Sequence, residues 1–187
     1  MSVAQYHLKE ELKARITSLP GFDSSLWEDH WKLYNARQEN RQDRFVSDRR
    51  RHLSFEVAGI KLHEVFFSKL KAGGSHISPA FAEVIKKHFG TIDNFHSEIL
   101  NSAKTRGIGW TLLCYDAETD SMYVNYCSLH QLGHCPNVDI IFCLDHWEHA
   151  YRTFGVGPQA SAAYMDALYP HVDWEAVEQH YNHLARK

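Results

Sequence analysis

Ile140-Ile141-Phe142-Cys143-Leu144-Asp145-His146-Trp147-Glu148-His149-Ala150-Tyr151 is the stretch on which the reading of this chain turns. Its first five residues form a continuous apolar run, the pattern of a short buried strand. A carboxylate directly after that run, at Asp145, is costly to bury unless it is paired or bound to a metal ion. His149 follows four residues later. If a helix begins at Asp145, both side chains fall on one face and can chelate one ion. A capping Asp followed by a core His gives the same local pattern.

Upstream, Trp110 to Tyr115 is a second apolar run, Asp116 to Ser121 reads as a turn, and Met122 to Cys127 is rich in strand formers. That is a hairpin signal. Before it, helices are predicted over 5–18, from about 26 to near 50, and over 54–71, 79–89 and 91–105. Asp23 or Ser24, Ser78-Pro79 and Thr91 are the expected starts, and Gly73-Gly74 and Gly90 the stops. After Asp145 helices are predicted over 146–154, 159–168 and 173–186, the last capped by Asp173. Helices, three strands, then helices define an α+β chain with a small antiparallel sheet. The expected division is an N-terminal α-hairpin lobe, 1–74, and a C-terminal α+β lobe, 75–187.

The 187 residues suit one compact unit or two small lobes sharing a core. A formal net charge of −3 provides no general basic field for nucleic acid. The short basic run Arg49-Arg50-Arg51 reads as a solvated face. No apolar stretch approaches the roughly 20 residues that span a bilayer. The first residues lack the apolar segment of a signal peptide, so a cytoplasmic protein is expected. Cys114, Cys127, Cys135 and Cys143 include no C-x-x-C pair and are expected to be reduced structural residues.

Histidine is abundant, with 14 in the chain. It is the commonest metal ligand. His63 adjoins the apolar positions Leu62, Phe66 and Phe67, and His30 lies within Trp27-Glu28-Asp29-His30-Trp31. Local chemistry allows each to be a ligand or a hydrogen-bonded core residue.

The segment Leu144 to Tyr151 resembles the D-x-W-E-H-A-Y signature of the iron/manganese superoxide dismutases. Gly107-Ile108-Gly109-Trp110 resembles that family's G-x-G-W. Phe55 to Glu64 is similar to the stretch carrying its second histidine ligand. Leu168 to Trp174 is similar to its closing N-W segment, with Asp173 in place of Asn. The resemblance runs from about residue 20 to 180. It implies His30, His63, Asp145 and His149 as ligands of one iron or manganese ion, three imidazoles and one carboxylate with a position left open. It also implies an N-terminal helical hairpin packed on a lobe of helices and three strands, with the metal between.

Around that centre the resemblance assigns His130 to the water-positioning role, with Gly59 as the small residue opposite and His134 at a second histidine position. Trp110, Trp147 and Phe67 would wall the site. Glu148 would reach His149 of a partner in a homodimer. The chain departs from the pattern at the mouth. Gln38 stands where a Tyr is usual, with Arg37 beside it, Tyr34 replaces a frequent His, and Arg152 replaces a second Tyr. Tyr34 is expected to take over part of the gateway hydrogen bonding, and Arg37 and Arg152 to attract an anionic substrate. The implied activity is dismutation of superoxide, without nucleic-acid or membrane partners. The alternatives are another iron- or manganese-dependent redox enzyme acting on an organic substrate, and a non-catalytic structural relative.

Overall fold

The computed structural model describes residues 9–17, 19–40 and 46–186, and the side chains of all of these but 10, 24, 36–40 and 46–51. The gateway residues Arg37 and Gln38, and the run Arg49–Arg51, therefore lie outside the described side chains. The order is α1 (Glu10–Thr17), α2 (Ser24–Asn40), α3 (Val46–Ser68), α4 (Pro79–Phe89), α5 (Ile92–Ser102), β1 (Gly109–Asp116), β2 (Ser121–Ser128), β3 (Asp139–Asp145), α6 (Glu148–Tyr151), α7 (Pro158–Leu168) and α8 (Trp174–Leu184). Single 3-10 turns at Arg152–Phe154 and Tyr169–His171 flank α7. The α+β architecture expected from the hydrophobic pattern is the one found.

Local chemistry accounts for most boundaries. Ser78 accepts from the Phe81 amide and Pro79 occupies the first helical position of α4, while Gly90, at φ 79°, ends it. Thr91 caps α5 through the Asn94 amide, and Asp173 caps α8 through that of Ala176. Two boundaries differ from expectation. No break falls near 50: the Arg-rich stretch opens α3, which runs unbroken from Val46 to Ser68, and residues 41–45 lie outside the described residues. The helix expected over 146–154 is a single turn at 148–151 followed by a 3-10 turn.

The sheet order is β2-β1-β3, antiparallel throughout. Every residue of central β1 from Gly109 to Tyr115 is buried. Trp110 lies opposite Cys127 on one side and Asp145 on the other. One face of the sheet packs on α3, whose Ile60, Leu62, Phe66 and Phe67 are 0–1% exposed. Each such side chain contributes about 1.5–3 kcal/mol by leaving water. Arg15 Nη2 of α1 meets Asp173 Oδ2 at 2.8 Å, tying the first helix to the cap of the last. Ser75 Oγ donates to the other carboxylate oxygen at 2.9 Å. Among the described residues, no helix is long and apolar enough to cross a membrane.

Candidate metal centre

Four elements converge on one point. His30 comes from α2, His63 from α3, Asp145 from the end of β3, and His149 from α6. One donor atom from each lies within 4.8 Å of the others. Asp145 Oδ2 is the hub, 3.3 Å from His30 Nε2, 3.2 Å from His149 Nε2 and 3.8 Å from His63 Nε2. The side chains of His30, His63 and Asp145 are wholly buried, and only His149 reaches the surface, at 17% exposure. Asp145 and His149 do not meet as neighbours on one helix face. Asp145 Oδ1 instead accepts from the Trp147 amide at 2.8 Å, and the tight turn this makes delivers His149 to Oδ2.

The tautomers follow from the backbone. His63 Nδ1 donates to the Gly59 carbonyl at 2.6 Å, and His30 Nδ1 to the Leu26 carbonyl at 3.2 Å. A carbonyl only accepts, so each neutral ring keeps its proton on Nδ1 and turns a bare Nε2 lone pair inward. Burial pushes both histidines below their ordinary range, His63 far below, which favours the neutral form. Burial would raise Asp145, but the His149 ring and, after it, the His30 ring beside the carboxylate outweigh it and hold the carboxyl well below its usual range. His63 Nε2 has no hydrogen-bond partner. Lone pairs facing an ionised carboxylate repel unless a cation lies between them. Two donors each about 2.1 Å from one ion stand about 3–4 Å apart, as Asp145 Oδ2 stands from the three Nε2 atoms. Three imidazoles and one carboxylate are a mixed nitrogen and oxygen set that suits iron or manganese.

Aromatic rings close the surroundings. Trp110 lies edge-on to His63 at 5.0 Å between centroids, Phe67 is 5.6 Å from His63 and 6.0 Å from His30, and Trp147 stacks over His149 at 6.0 Å. His130 is fully buried between Trp147, stacked at 4.6 Å, and Phe55, at 4.5 Å. Its Nδ1 accepts from Trp110 Nε1 at 3.0 Å. An indole only donates, so a neutral His130 carries its proton on Nε2. Gly59 serves the centre through its carbonyl, given above.

The remaining expected residues are more dispersed. Tyr34 is fully buried, and its hydroxyl donates to Glu64 Oε1 at 3.2 Å. Glu64 is in turn bridged by Lys9 at 3.0 Å and Lys61 at 3.3 Å. His134 is exposed, with Nε2 donating to the His130 carbonyl at 2.7 Å. Glu148 is exposed in the single chain because α6 begins at the surface. Arg152 does not stand free to attract an anion: its guanidinium is paired with Asp29. The sequence reading missed Phe55, Glu64 and Asp29. Glu64 carried a signal, a carboxylate beside His63 within an apolar run. Asp29 carried none, since its partner is 123 residues away.

A family model described as iron/manganese superoxide dismutases, C-terminal domain, matches residues 77–180. An iron superoxide dismutase of Methanothermobacter marburgensis is 31% identical over 159 residues, which cover 82% of this chain and 76% of that protein. One from Pyrobaculum aerophilum is 31% identical over 133 residues, 69% of this chain and 62% of its own length, so the match spans less than two thirds of that relative. A manganese superoxide dismutase of Halobacterium salinarum is 30% identical over 131 residues, 70% of this chain and 64% of that protein.

Proposed function

The chain belongs to the iron/manganese superoxide dismutase family, and from that premise we propose that it disproportionates superoxide at a centre held by His30, His63, Asp145 and His149. The observation that carries this reading is the convergence of three imidazole Nε2 atoms on one buried carboxylate oxygen, two of them with Nδ1 committed to a backbone carbonyl. An iron or manganese ion there would supply the one-electron exchange that turns two superoxide ions and two protons into dioxygen and hydrogen peroxide.

The protein's own part is positioning, exclusion of water and proton placement. The Gly59 and Leu26 carbonyls fix two rings at the tautomer a cation requires. Trp110 fixes His130 with its proton on Nε2, the state in which it can donate to solvent or an oxygen species in the pocket. Phe67 and Trp110 keep bulk water from the rings of His30 and His63, and Trp147 covers one face of His149.

The same reading makes the protein a homodimer in which the exposed Glu148 reaches His149 of the partner subunit. That contact would cover the one candidate ligand that meets solvent. A cytoplasmic setting is in keeping with four free cysteines, three of them buried.

The test is metal analysis of the purified protein together with a dismutation assay of its iron- and manganese-loaded forms. One ion per chain and dismutation are expected. His63→Ala should leave the centre largely empty, and stoichiometric metal in that variant would sink the ligand assignment. Metal-replete protein without dismutation would instead favour redox chemistry on an organic substrate.

A further inference from the structure

Arg152 and Asp29 form an ion pair between the two elements that bring His30 and His149 together. Asp29 immediately precedes His30 on α2, and Arg152 lies three residues after His149, in the 3-10 turn that follows α6. The rings of His30 and His149 stand 4.8 Å apart, edge to face. The pair therefore spans the side of the centre where it meets solvent. Arg152 is 46% exposed and Asp29 34%. Asp23, at the start of α2, also lies within the field of the Arg152 charge. Lys32 is a second partner of Asp29, at 3.2 Å, but it sits on the same helix and ties nothing across.

The other end of this junction is apolar. Phe154, at the end of the same 3-10 turn, packs on Phe22 at 5.8 Å and on Tyr164 at 5.9 Å, and Phe22 packs on Trp27 at 5.3 Å. The turn after α6 is thus held to the start of α2 by aromatic contact at one end and by charge at the other. The charged end lies one residue from His30 and three from His149, while the aromatic end reaches the centre through Trp27, 5.4 Å from the His30 ring. The aromatic end holds when that charge is removed, so the junction can open at the centre and stay anchored beside it.

We propose that Arg152, acting through Asp29, is a positioning residue for the metal centre, a latch that holds the His30 helix against the His149 turn and sets how fast a bound ion exchanges. The inference rests on the metal-binding reading above. A half-exposed pair of this kind acts modestly and is weakened by salt. Its signature is a rate that depends on ionic strength.

The experiment follows metal release from iron- or manganese-loaded protein into excess chelator, at low and at high salt, with thermal unfolding recorded in parallel. Arg152→Gln and Asp29→Asn should each release metal roughly two- to five-fold faster at low salt, with the salt dependence of the wild-type chain gone. The exchanged pair Asp29→Arg with Arg152→Asp should restore slow, salt-dependent release. Unchanged release in the single variants would overturn the proposal. So would faster release that the exchanged pair fails to correct, since that is the mark of general loosening. Failure of the unaltered chain to take up iron or manganese would overturn the metal-binding reading itself, and the latch with it. Normal uptake with salt-independent release would overturn the latch alone.

Discussion

His146 lies between the strand end and the turn of the candidate centre and is not one of its ligands. It is 2% exposed, and neither ring nitrogen makes a hydrogen bond to the protein. The Ala103 carbonyl is near enough to favour the charged ring slightly, yet burial dominates and lowers the pKa to about 4. A buried polar group without a partner costs about 1–3 kcal/mol in mutational data. His146→Leu, of similar size and apolar, should therefore stabilise the metal-free protein by about 1–2 kcal/mol at neutral pH, or about 2–8 °C in Tm for a chain of this size. The pH dependence is the sharper check. The folded pKa lies below the ordinary 6.5, so acid favours the unfolded chain. The stability tied to this residue is fully present above pH about 6.5 and is lost as pH falls toward about 4. At 1.36 kcal/mol per unit it amounts to about 3 kcal/mol. Urea unfolding of both proteins in metal-free buffer, at pH about 7.5 and about 4.5, should show the variant's advantage growing by about 2–3 kcal/mol on acidification. His30, His63 and other lowered histidines titrate in both proteins and cancel in the difference. A variant that is less stable at neutral pH, with no widening in acid, would refute the account of a neutral imidazole buried without a partner.

Three further outcomes are expected. Gly109 has φ 153°, and a Cβ there would lie 2.2 Å from the Cys127 carbonyl oxygen; Gly109→Ala should cost at least about 2 kcal/mol in urea unfolding, and a neutral result would show that the strand pair can spread. Tyr34→Phe removes the bond to Glu64 and should lower stability by about 1–2 kcal/mol at unchanged metal content. Turnover should hold; a fall of about tenfold or more would place the hydroxyl in proton delivery after all. Asp173→Ala removes the α8 cap and the partner of Arg15 together and should cost about 1–3 kcal/mol, with most of the loss persisting at high salt because the cap is not screened.

The sheet was legible because its signals are local. The Asp116–Ser121 turn separates two strand-forming runs that pair as β1 and β2, and the apolar run before Asp145 is β3. That α3 runs unbroken through the Arg-rich stretch was not legible, since residues 47–52 are polar and carry no apolar periodicity. Nor was the shortness of α6, where Asp145 uses one carboxylate oxygen to cap a turn instead of starting a helix. At the candidate centre, His30, His63, Asp145 and His149 were picked out through motif resemblance, since the local setting of His30 and His63 alone pointed first to a core role. What lay beyond reach were contacts between distant polar residues: Tyr34 with Glu64, and Asp29 with Arg152. Their geometry depends on how helices pack, which no short window of sequence encodes.

His30 and Asp145 are 115 residues apart, and the cluster they share draws on α2, α3, β3 and α6. A contact of that span closes a long loop, and such contacts form slowly because chain entropy is surrendered before any reward arrives. The unfolded polypeptide therefore has no preformed chelate for an ion to grip. All four elements must be packed together before the donors meet. In refolding, metal capture should report the last step of assembly rather than seed the first. Iron or manganese supplied late should be taken up as completely as the same ion supplied from the start.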